Sequence, residues 1–115
     1  MKREGLTNKV LVLGVDGWDP RLTKRFLNEG KMRNTAEFLK RGSAREDLVL
    51  LGGHPTVTPP MWTTLATGAY AYTHGITCFY NNAPGEIDAM IYALDSRMCK
   101  AEQAWNATAE SGKRT

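Results

Sequence analysis

The sequence predicts an α/β domain, and three observations carry that prediction. A β-branched apolar run, "KVLVLGVDG", extends from Lys9 to Gly17; a capped helical segment starts directly after it; and extended and helical patterns keep alternating along the chain. The run is apolar on both alternating faces, as in a strand buried between two layers of helices, which predicts a parallel sheet. Asp19 followed by Pro20 reads as an N-cap with proline at the first helical position, and the segment "PRLTKRFLNEG" stops at Gly30. In "NTAEFLKRG", Asn34 and Glu37 stand at capping-box spacing and Gly42 is the expected C-cap. "AREDLVLLGG" reads as a second strand. "PPMWTTLATG" reads as a short helix closed by Gly68, with Met61, Trp62 and Leu65 expected in the core. From "AYAYTHGIT" to "NNAPGEID" the chain reads as loop, with turn signals at Asn82, Pro84 and Gly85. "AMIYAL" is a candidate short strand. Ala101, Ala104, Trp105 and Thr108 then recur at helical spacing before Gly112.

A length of 115 residues predicts one unit, and 42% apolar residues are enough to bury a core. Two or three strands with helices on both faces leave sheet edges unpaired, so residues 1–115 are expected to be a fragment of a larger domain. The net charge of +3 comes from scattered basic residues that form no stripe, which argues against nucleic acid as a partner. Cys78 and Cys99 follow no metal or redox spacing and are expected to be reduced thiols. The basic N-terminus precedes an apolar run of only about six residues, too short for a secretory signal, and no stretch approaches a membrane span. A cytoplasmic location follows as the expectation, with no membrane partner.

Chemistry is expected at two positions. Asp16 closes the first predicted strand, and ligands of parallel α/β sheets bind outside the carboxyl ends of strands. A carboxylate there serves either as a metal ligand or as a turn aspartate bonded to its own backbone. Thr58 precedes Pro59 and Pro60, so its hydroxyl reads as an N-cap accepting the Met61 N–H. The same geometry suits a hydroxyl nucleophile beside a divalent metal. Because prolines occupy the first two helical positions, few backbone amides remain to hold a phosphate there. His54 and His74 are the two histidines, and His74 is expected in a loop making a positioning hydrogen bond. Trp18 and Tyr72 either border a pocket or only pack.

"VLVLGVDGWD", "PTVTPPMWTTLATG" and "THGIT", in this order and spacing, resemble the type I phosphodiesterase/nucleotide pyrophosphatase family of the alkaline phosphatase superfamily. The similarity includes "NTAEFLKRGS" and covers most of the chain. It implies a partial alkaline-phosphatase-like mixed sheet flanked by helices and a phosphohydrolase site holding two divalent metal ions, usually zinc. Carried over residue by residue, Asp16 corresponds to the metal-binding aspartate at the tip of the first strand. Thr58 corresponds to the nucleophile, which also touches a metal. The implied substrate is a phosphate-ester small molecule, attacked in line by the Thr58 oxygen.

The chain departs from the family pattern at identifiable places. Pro59 stands where relatives have a residue with a donating N–H. Phe79 stands where they carry an asparagine, which leaves Asn81 and Asn82 as substitutes out of register. Arg33 and Ala71 replace prolines. Only Asp16 and Thr58 match the family's ligands, so the chain is expected to be an incomplete enzyme, inactive alone. The alternative is a non-catalytic small α/β binding module that retains the motifs; a related phosphomutase fits less well, since those relatives use serine. Oligomeric state is not encoded in any of these features.

Overall fold

The computed structural model describes residues 7–45 and 56–115. The described residues contain five α-helices, a two-stranded sheet and one short 3-10 helix, an α/β composition. The chain divides into two compact units, Val12–Leu51 and Met1–Leu11 with Gly52–Thr115.

The first unit is built on α1 (Pro20–Asn28) and α2 (Arg33–Lys40), which pack against each other. The amides at the start of α1 and the carbonyls at its end are both satisfied locally. The Asp19 carboxylate accepts from Arg21 N–H at 2.7 Å and Leu22 N–H at 2.9 Å, with Pro20 in the first turn. The Leu22 amide, then the Arg21 amide and guanidinium, hold this carboxyl below its ordinary range. At the other end Lys31 N–H bonds the Phe26 carbonyl at 2.9 Å and Gly30 N–H the Leu27 carbonyl at 3.0 Å, a Schellman closure. This closure needs the left-handed backbone, which Gly30 supplies with φ 70°. Thr23 is buried, donating its hydroxyl to the Asp19 carbonyl at 2.8 Å and accepting from the Trp18 indole. Trp18 therefore packs on α1 through a directional bond.

Three expectations in this unit need correction. The Lys9–Gly17 run is not a strand: no ladder partner is present among the described residues, and Val10, Leu11, Val12 and Leu13 are 70–81% exposed. A parallel strand is defined by the neighbours it bonds, and its expected neighbour, "AREDLVLLGG", lies almost wholly outside the described residues. The capping box is also absent. Helix α2 starts at Arg33 after Met32, with no side-chain cap, so Asn34 sits inside the first turn. At its far end the C-cap is Arg41, with Gly42 one residue beyond.

The second unit holds α3 (Thr58–Thr67), α4 (Ala71–His74), β1 (Tyr80–Asn82), β2 (Met90–Tyr92), the 3-10 turn Ser96–Met98 and α5 (Ala104–Glu110). Helix α3 packs against α4 and α5, and its buried residues are Pro59, Pro60 and Thr64. The expected core stripe of Met61, Trp62 and Leu65 is displaced. Trp62 is 38% and Leu65 43% exposed, because the inward face runs through Pro60 and Thr64, four residues apart. Ala71, Ile76 and Ala93 complete the apolar centre. Gly68 ends α3, and Gly112 with Lys113 closes α5 on the Ala109 and Thr108 carbonyls.

The candidate strand in "AMIYAL" forms as β2, and its antiparallel partner β1 lies in the stretch that reads as loop. "YNN" carries no apolar alternation, so only pairing reveals it. Tyr80 and Tyr92 stand opposite each other, rings edge-on with centroids 4.9 Å apart. Beyond β2, Asp95 caps the 3-10 turn; side-chain and backbone hydrogen bonds from Arg97 lower its carboxyl to about 2. Cys78 and Cys99 are both free thiols. No helix among the described residues is long and apolar enough to cross a membrane.

Gly30→Ala tests the closure of α1. An added Cβ meets nothing within 4 Å, so the effect is conformational alone. It is expected to destabilise the protein by about 1–2 kcal/mol, read from denaturant unfolding, with Gly30→Asn recovering part of the loss.

Candidate functional site

Thr58 is the first residue of α3, with Val57 as N-cap, one residue earlier than the sequence predicts. The Met61 N–H therefore bonds the Val57 carbonyl at 3.1 Å, closing the first turn through the backbone instead of through the Thr58 hydroxyl. Thr58, Pro59 and Pro60 fill the three positions whose amides have no intrahelical acceptor, so neither proline removes a helix bond. Thr58 is exposed, whereas Pro59 and Pro60 are buried. The exposed Thr58 thus sits on a helix start whose two prolines are buried.

The remaining threonines of α3 have structural partners. Thr63 donates to the Pro59 carbonyl at 2.8 Å and Thr67 to the Thr63 carbonyl at 2.7 Å. Thr64 faces inward, with its hydroxyl 3.2 Å from His74 Nε2.

His74 is the last residue of α4, not a loop residue, and it is fully buried. Its Nδ1 accepts the Ile76 N–H at 3.1 Å, so the neutral ring carries its proton on Nε2. That nitrogen lies 3.2 Å from the Thr64 hydroxyl. Burial pushes the imidazole below its ordinary value of 6.5, against the opposing pull of the Pro60 carbonyl. The His74 carbonyl accepts from Lys100 N–H at 2.9 Å. Next to it Gly75 adopts φ 83° with the Lys100 methylenes against it, where an added Cβ would come within 3.4 Å of one. The ring's one in-plane lone pair, on Nδ1, accepts the Ile76 N–H and the Nε2 proton faces the Thr64 hydroxyl, so this neutral ring has none left for a metal. Nothing in the sequence pattern marks this burial; a histidine before a glycine and an apolar residue, one helix beyond a polar inward threonine, is its only local trace.

The other expected residues are placed as follows. Asp16 lies in a turn with Gly17 and belongs to the unit of α1 and α2, whereas Thr58 belongs to the unit of α3. Asn81 and Asn82 are neighbours on β1, paired with Ile91 and Met90. Adjacent strand residues point to opposite faces, so the two amides do not act on one ligand from the same side. His54 lies outside the described residues. Tyr72 is exposed and stacks on Tyr70 with centroids 5.9 Å apart.

Among the described residues, no three or more His, Cys, Asp or Glu side chains gather to hold a metal ion. Asp16 and Thr58 alone do not constitute the donor set of a two-ion centre.

The burial of neutral His74 gives acidification a defined effect. The unfolded chain takes up the proton more readily, so this contribution is complete above the ordinary pKa of 6.5 and declines as pH falls below it toward the folded value. Denaturation midpoints are expected to drop between about pH 7.5 and 5.5, a slope that His74→Gln flattens.

A family model described as Type I phosphodiesterase / nucleotide pyrophosphatase matches residues 10–115. No curated protein and no solved structure gives a significant match to the chain.

Proposed function

The chain belongs to the type I phosphodiesterase / nucleotide pyrophosphatase family, whose members hydrolyse phosphate esters, and from that premise we propose that Thr58 is the nucleophile of a phosphodiester or pyrophosphate hydrolase. The exposed threonine at the start of a helix held by buried prolines, inside the matched residues, carries this reading. The Thr58 oxygen forms a bond to phosphorus as its proton leaves, and the bond to the leaving oxygen breaks. Water then cleaves the phosphoryl- or nucleotidyl-threonine and restores the hydroxyl.

The same reading gives Asp16 and Thr58 the role of oxygen ligands to divalent ions, zinc in most relatives. Bound ions supply positive charge to the phosphoryl oxygens. The other ligands come from outside the described residues, and the 115-residue chain by itself is inactive on this reading. Pro59 has no N–H to offer the transferred group, so its oxygens are held by other charges and the substrate departs from that of relatives with a donor there. Asn81 or Asn82 takes part in substrate binding, one of the two only.

Hydrolysis of bis(p-nitrophenyl) phosphate by the natural protein carrying these residues, supplied with zinc or manganese, tests the assignment. Thr58→Ala is expected to lower kcat at least about 10³-fold, while Thr58→Ser keeps measurable turnover. Acid quenching should leave a phosphorylated peptide containing Thr58. Undiminished turnover in Thr58→Ala would overturn the nucleophile. Metal-dependent turnover by the 115-residue chain alone would overturn the need for further ligands.

A further inference from the structure

We propose, resting on the nucleophile reading above, that Trp62 and Leu65 seat the ester group that the substrate retains, and that this group is aromatic or branched and apolar. Within α3 the exposed residues are Thr58, Trp62 and Leu65. They stand at i, i+4 and i+7, which on a helix is one line, and the buried Pro60 and Thr64 occupy the opposite side. The Cα–Cβ bonds of a helix tilt toward its N-terminus, so the Trp62 side chain leans toward the turn that carries Thr58. Thr58 therefore heads an exposed stripe whose next two members are large and apolar.

Two features of α3 select the chemistry of the occupant. The helix has no charged side chain, and Pro59 and Pro60 withhold two of the amides that would otherwise meet an anion. A second phosphate or a carboxylate on the retained group would lie over this stripe with no cation from the helix to neutralise it. It would also give up hydration for an indole and an isobutyl side chain. An aromatic or branched hydrocarbon group gains by covering the same surface. In-line displacement leaves room for it, because the leaving oxygen departs on the side of phosphorus away from Thr58 and the retained ester oxygen lies beside that axis. Trp62 is about 6 Å and Leu65 about 10 Å along the helix axis from Thr58, so a single ring reaches the indole and a longer or branched group the leucine.

Two diesters with one leaving group test the seat: phenyl p-nitrophenyl phosphate and methyl p-nitrophenyl phosphate. Attack by Thr58 releases p-nitrophenolate from both and leaves a phenyl- or methyl-phosphoryl threonine, which water cleaves to phenyl or methyl phosphate. In the natural protein supplied with zinc, kcat/KM relative to hydrolysis in alkali is expected to favour the phenyl ester about 10-fold. Trp62→Ala should lower that ratio to about 2, mostly through KM, with Trp62→Phe retaining most of it and Leu65→Ala lowering it about twofold. Phenyl phosphate, the product, should inhibit the parent more tightly than methyl phosphate by a similar factor, a difference that Trp62→Ala erases. Each ratio compares two esters on one protein sample, so partial loss of folded protein in a variant cancels. A parent ratio near 1, or a parental ratio in both Trp62→Ala and Leu65→Ala, would overturn the seat while leaving the nucleophile standing. Full turnover of both esters by Thr58→Ala would bring down both.

Discussion

The second unit depends on one buried imidazole. His74 joins Thr64 of α3, the end of α4, Ile76 and Lys100 through contacts at both ring nitrogens and its carbonyl. The apolar centre around it is small, with Ala71, Ile76 and Ala93 as its buried hydrophobic residues. Three such residues provide little transfer free energy and almost no directional information. Orientation in this unit is therefore set by hydrogen bonds in a desolvated place, where each satisfied bond is strong and each broken one is expensive.

The double proline has a consistent place in this arrangement. Proline at the start of a helix gives up amides that have no acceptor there, and its ring brings apolar surface without side-chain entropy. Pro59 and Pro60 use that surface to seat the helix, and the Pro59 carbonyl receives the Thr63 hydroxyl. A helix end that would ordinarily present a row of N–H groups instead presents two buried prolines after the exposed Thr58. Anion binding by backbone amides is given up in exchange for rigidity.

Legibility followed the range of the interactions. The start of α1 at Asp19 and Pro20, and the ends of α1, α3 and α5 at Gly30, Gly68 and Gly112, are written in neighbouring residues and were read directly. The start of α2 was misread because Asn34 and Glu37 have the right spacing for a box but the helix begins before them. Strands depend on partners far along the chain. Hence "YNN" reads as loop yet pairs as β1, and the Val10–Val15 run, apolar enough for any sheet, has no ladder among the described residues. The inward face of α3 was misjudged for a related reason: a polar Thr64 becomes a core residue only when a histidine ten positions later meets it. Of the candidate site, the motifs containing Asp16 and Thr58 were readable as strings, and the family match spans both. Their geometry was not, because it arises between segments.

The commitment of His74 also sets the proton inventory of the molecule. A ring whose Nδ1 accepts a backbone amide and whose Nε2 proton is spent inside the fold cannot shuttle protons at neutral pH. It is the one imidazole among the described residues, so none of them offers a histidine as general acid for a departing alkoxide.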